Sequence, residues 1–335
     1  MKIIKTFGQY LDQPILVGKF EKAVPSVLTG IAVLHCAKEV HDAPKNKREK
    51  AFVYSSTIMT ATVLSSLIAP KIAAKIVGKE YEKININKIQ KQNKILIENY
   101  NKNNIHSEQT QKILSIADKK VLSIKQIFML RKELLKTKNG EKFLKNLIPE
   151  PENITSKEIV KDMGRLSIMG AIPVAGGILG GVTADKITDK DNWKTKFPDK
   201  IKEGIYQYLA NIFLCNVGAA SALGIMESMN VKSKSIRALS MVGGIIITGV
   251  VGGSLIANYI SKKIVTPVLD KKFHNNRNFS GGYKERKPEP LDICLHADDI
   301  ATIAVMSGFK WIEPALPILY AISGYRAAIG YRGKE

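Results

Sequence analysis

Apolar and charged positions are sharply segregated along this chain. Residues 51–70, 166–184, 205–226 and 238–260 carry no Asp, Glu, Lys or Arg over 20, 19, 22 and 23 residues. An α-helix rises about 1.5 Å per residue, so blocks of roughly 18–25 residues match the roughly 30 Å of bilayer hydrocarbon. Two further apolar stretches are less regular. Residues 23–37 are short for a span, but the flanking Lys22 and Lys38 can reach the interfaces. Residues 300–329 are interrupted by Lys310 and Glu313, with Pro314 and Pro317 following. The pattern predicts an all-α chain, a polytopic membrane bundle of about six apolar helices.

The apolar stretches also repeat. Residues 60–77 and 248–265 share ten of eighteen positions at a shift of 188. Gly164, Ile168, Ala171, Pro173, Ile178 and Gly180 return at a shift of 144 as Gly308, Ile312, Ala315, Pro317, Ile322 and Gly324. Second span matches fifth and third matches sixth, each three crossings apart. If every element crosses, matched helices run in opposite directions, which predicts two inverted three-helix repeats.

Residues 79–165 are different in kind, with 19 Lys/Arg and 11 Asp/Glu. That charge cannot sit in hydrocarbon. Apolar side chains nevertheless recur at helical spacing over 110–136 (Ile113, Leu114, Ala117, Val121, Ile124, Phe128, Leu135), between a start at Ser107-Glu108 and a stop at Lys138-Asn139-Gly140. This predicts an inserted helical subdomain facing water. The expected organisation is 1–78 (lead and first helix pair), 79–165 (insertion), 166–260 (three glycine-rich helices), 261–299 (charged linker) and 300–335 (an irregular apolar element).

Charge changes the picture less than placement does. The net charge is +21, yet only eight of the 51 basic residues are Arg. Scarce Arg argues against nucleic acid as a partner, because bidentate base contacts favour Arg. The Lys excess suits anionic lipid. Basic residues flank the spans on both sides, so the positive-inside pattern is weak. The expected location is a membrane, the bacterial cytoplasmic one, with a cytoplasmic N-terminus. Cys36, Cys215 and Cys294 are widely spaced and give neither a disulfide framework nor a zinc pattern. No metal or other cofactor is expected. No catalytic triad, carboxylate pair or phosphate loop is identifiable, so an enzyme is not expected.

Two groups of residues stand out. Gly176, Gly177, Gly180 and Gly181, together with Gly249 and Gly253, place small residues four apart, where helix backbones can approach closely or a second copy can dock. Pro173 and Pro317, with Asn211, Asn216, Lys310 and Glu313, are the candidates for lining a polar cavity. The favoured function is an integral membrane protein with a packing or scaffolding role. The alternatives are a small transporter or channel on inverted repeats, and a peripheral or soluble basic helical protein.

Overall fold

The computed structural model describes residues 2–78, 81, 83–102, 104, 107–137, 139–149, 156–231, 234–273, 285–286 and 312–330. Every regular element among the described residues is helical. In chain order they are α1 (Lys2–Leu11), α2 (Pro14–Asp42), α3 (Arg48–Ile76), α4 (Ile86–Asn101), α5 (Glu108–Ala117), α6 (Ile124–Leu134), α7 (Gly140–Leu147) and α8 (Ser156–Thr188). Then come α9 (Trp193–Tyr208), α10 (Leu214–Ser228), α11 (Lys234–Ile245), α12 (Gly252–Ile260), α13 (Thr266–Phe273) and α14 (Leu316–Ile329). The chain divides into two compact units, one of residues 1–23, 82–154 and 307–315 and the other of 24–81, 155–306 and 316–335.

The first unit has its own core. Ile113, Leu114, Ile127, Leu130, Leu134, Phe143 and Leu147 pack together from α5, α6 and α7, and the Tyr100 ring of α4 stacks on Phe143 at 3.9 Å. The sequence predicts one helix over 110–136, but two form, broken at residues 118–123. Ser123 and Gln126 supply the reason. The Ser123 hydroxyl accepts from the Gln126 amide while the Gln126 side chain accepts from the Ser123 amide, satisfying two orphan donors of a new helix start. Asn139, at φ 65°, precedes α7, and a Cβ on Gly140 would overlap the Leu134 carbonyl oxygen.

The N-terminal lead belongs to this unit rather than to the first apolar helix pair. Its polar side chains explain why. The Gln13 amide donates to the Leu122 carbonyl at 2.8 Å and accepts from the Leu122 N–H at 2.7 Å, so one side chain satisfies a whole peptide unit. Arg131 donates to Gln9 at 2.9 Å. We expect Leu130→Ala, which empties a fully buried site, to destabilise this unit by about 2–5 kcal/mol. Amide hydrogen exchange across α5–α7 should accelerate accordingly; unchanged protection would contradict this core.

The second unit holds most of five helices long and apolar enough to cross a membrane: Pro14–Asp42, Lys45–Ile76, Glu158–Thr188, Trp193–Ser228 and Ile236–Leu269. The last two are continuous rods interrupted by π turns at Leu209–Phe213, Ile246–Val251 and Ser261–Val265. Close approaches fix their directions. Gly176 and Gly180 of α8 face Ser65 and Ala61 of α3, so these helices are antiparallel. Gly218, Gly249 and Gly253 face Gly244, Cys215 and Ala210, so α10 and the α11–α12 rod are antiparallel as well.

Helix α14 does not fit the expected inversion. Gly170, Gly177 and Gly181 of α8 face Tyr320, Gly324 and Ala328, so residues ascend together and the two helices are parallel. Inverted repeats require the matched third and sixth segments to oppose each other. Helix α14 itself is 14 residues long and is preceded by a short 3-10 turn at Glu313–Ala315.

Candidate functional site

One end of the second unit collects charge. Helix α8 ends there, α3 and α9 begin there, and α12 and α14 end there. On α9 and the π turn after it, Lys200, Glu203, Gln207 and Asn211 recur at intervals of three and four residues. At 3.6 residues per turn that spacing places all four on one face. The face is turned inward: the four residues are 1%, 1%, 0% and 2% exposed. Burial without partners would cost several kcal/mol per ion, so the partners decide whether the arrangement is stable.

Lys200 has three. Its ammonium lies 3.1 Å from Asp185 of α8 and donates to the Tyr54 hydroxyl at 3.4 Å and to the Ala328 carbonyl. Asp185 is as deeply buried as Lys200, and Lys196 stands 3.8 Å from its other oxygen. Among the described residues no hydrogen bond of ordinary geometry reaches either Asp185 oxygen. Its charge is therefore balanced by Lys200 and Lys196 through space rather than by a donor fork.

Glu203 sits between two guanidiniums. Arg286 donates through Nε and Nη2 at 3.2 and 3.0 Å, and Arg326 of α14 approaches to 3.6 Å. The paired Arg286 bonds give the planar fork that guanidinium and carboxylate match best. Arg286 is itself held in place. Asn258 donates to its carbonyl and accepts from its amide, both at 2.9 Å, and its guanidinium lies 4.2 Å from the centre of the Tyr206 ring. Further along α9, Gln207 donates to Glu203 at 2.8 Å and Asn211 donates to Gln207 at 3.0 Å. The row passes from ion pair to amides as it enters the charge-free block.

This end carries interface chemistry outside the network. Trp193 has Lys186 4.4 Å from its ring centre, and Asp189 accepts from Lys196 at 2.7 Å. That bond holds the partly exposed Asp189 carboxyl below the ordinary carboxylate range. Trp and Lys are the usual residues at headgroup level.

The predicted residues are distributed unevenly over this arrangement. Asn211 belongs to the row, and Asn216 donates to Ser167 of α8 at 3.3 Å, so both spend their side chains on bonds inside the bundle. Pro173 lies buried in the middle of α8, and a Cβ on Gly324 would overlap its carbonyl. Pro317 is the second residue of α14, where the missing N–H interrupts no helical bond. Glu313 falls in a short turn of the first unit, and Lys310 lies outside the described residues. Within the second unit, Asn211 and Asn216 thus bond different partners. A Cβ on Gly177 or Gly181 would overlap the carbonyl of Gly324 or Ala328. One on Gly176 or Gly180 would meet the side chains of Ser65 or Ala61, and one on Gly249 or Gly253 would meet Cys215 or Ala210.

Sequence reading missed Asp185, Lys200, Glu203, Gln207, Arg286 and Arg326. The signal was present in the Lys200, Glu203, Gln207, Asn211 spacing. Among the described residues the fold is helical, with five helices long and apolar enough to cross a membrane. Comparison with family models, curated proteins and solved structures gives no match.

Proposed function

We propose that the chain is an integral membrane protein whose second unit is a bilayer-embedded bundle with a packing or scaffolding role, without catalytic chemistry of its own. The observation that carries this reading is the reversal of polarity across the bundle. Leu34, Leu179, Leu239, Ile247 and Leu255 point outward and are 63–72% exposed, while Lys200, Glu203 and Asp185 are sealed inside. In water such an apolar surface would drive association. In lipid it is the solvated face, and the interior must satisfy its own polar groups.

Two features favour scaffolding over transport. The buried amides and ions are engaged with one another, as a rigid polar clasp requires. The glycine crossings bring backbones together without side chains between them, which is how helices associate where no hydrophobic effect separates lipid from protein. Membrane integration has a direct test. After alkaline carbonate extraction of membranes the chain should remain in the pellet and be released only by detergent. Recovery in the carbonate supernatant, or as a monodisperse species without detergent, would refute the reading.

A further inference from the structure

Helices α2 and α3 leave an open groove between them along one side of the second unit, with a volume of about 700 Å³. Its walls are apolar, among them Val33, Ala37, Phe52, Met59 and Leu64. Its polar mouth is formed by Arg48 and His41, where α2 turns into α3. On that turn Lys38, Lys45, Lys47, Arg48 and Lys50 outnumber Glu39, Asp42 and Glu49, and all are exposed. The turn lies at the same end as Trp193 and its lysines, since Lys50 acts electrostatically on Asp189. The mouth is therefore at headgroup level if the bundle sits in a bilayer.

We propose that this groove binds one anionic phospholipid, with the phosphate at Arg48 and an acyl chain lying along α2 and α3. The inference rests on the membrane reading above. Two dimensions of the site match the ligand. From Arg48 to Leu64 the α3 wall runs about 24 Å at 1.5 Å per residue, more than the roughly 15 Å depth of one leaflet's hydrocarbon. The volume falls within the roughly 300–1,000 Å³ of specific ligand sites. Charge complementarity selects the headgroup. A basic cluster at the interface attracts a phosphate with net negative charge, and a zwitterionic headgroup offsets that attraction with its own cation. The second copy of this chain is the competing occupant, but a basic turn would then face a basic turn.

The test uses the full-length protein, extracted in a nonionic detergent, delipidated and exposed to phosphatidylglycerol or phosphatidylcholine. Native mass spectrometry reads retained lipid. One phosphatidylglycerol should remain per chain, held about tenfold more tightly than phosphatidylcholine. Arg48→Glu should abolish that preference. Ala37→Trp, at an exposed wall position, fills the groove and should reduce retention of both lipids. Either variant leaves the buried core untouched, and circular dichroism with an unchanged melting profile confirms folding. Equal retention of the two lipids, or preference intact in both variants, overturns the proposal while leaving membrane integration standing. Dimerisation lost in Ala37→Trp with no retained lipid also overturns it, in favour of a second copy. A chain already released by carbonate would instead sink the membrane reading on which the site depends.

Discussion

Gly177→Leu should eliminate folded protein. A Cβ at that position would overlap the Gly324 carbonyl oxygen, with the Gly324 Cα only 3.0 Å away. The obstacle is backbone on a parallel helix, so no rotamer change relieves it. Overpacking typically costs about 1–3 kcal/mol where side chains can yield. A forced separation of α8 from α14 exceeds that, against a total stability of about 5–15 kcal/mol. Gly181→Leu meets the Ala328 carbonyl and should behave alike. Gly224→Leu and Gly243→Leu are the controls, since nothing lies within 4 Å of a Cβ at either position. Their detergent-extracted yield and melting temperature should match the parent. A second contrast tests the geometry rather than the residue type. At Gly180 the obstacle is the Ala61 Cβ, 2.5 Å away. Gly180→Ala should therefore lose about 1–3 kcal/mol and recover most of it when combined with Ala61→Gly. Equal yields for Gly177→Leu and the controls would place that glycine on an open face.

The glycine spacing stands out in the sequence because small residues four apart have few other uses in an apolar helix. The charge-free blocks were legible for the same reason: length and polarity alone bound them. What could not be read was the partner of each surface. Asp185 closes one charge-free block, and Lys200 and Glu203 precede another, so a scan for uncharged windows places all three in loops. Burial by α3, α12 and α14 makes them interior, and that is a tertiary fact. The lead residues show the same limit. Gln9 and Gln13 look like ordinary polar positions before an apolar helix, and only Arg131 and the Leu122 peptide reveal why they are buried. The repeat misled through its own assumption. Sequence identity between residues 164–180 and 308–324 carries no direction, and counting crossings supplied one that the parallel contact of α8 with α14 does not share.

Removing the carboxylate of Glu203 should be the most damaging change at the charged end. Glu203 is 1% exposed and answers Arg286 at 3.0 Å and Arg326 at 3.6 Å. Glu203→Gln keeps the shape but removes the carboxylate that Arg286 grips as a fork and Arg326 approaches. Breaking a buried pair from one side costs about 3–5 kcal/mol, because the remaining charge keeps its desolvation penalty. Removing Arg286 as well is milder, since one guanidinium rather than two then loses this carboxylate. The double variant Glu203→Gln with Arg286→Met should therefore be closer to the parent than Glu203→Gln alone, with a coupling of about 1–3 kcal/mol in a double-mutant cycle. Lys200→Met should show a smaller companion effect, because it leaves the buried Asp185 to Lys196 at 3.8 Å in place of the ammonium at 3.1 Å, and Asp185→Asn should partly rescue it. Thermal unfolding in detergent micelles measures all of these. The cycle also separates the two functional readings. A clasp that only fixes helix positions predicts additive losses between the Glu203 and Asp185 pairs and unchanged permeability of reconstituted vesicles. Ion or proton flux that appears in the parent and vanishes in Glu203→Gln, with the melting temperature restored by the double variant, would reject scaffolding and assign the row to a transport path.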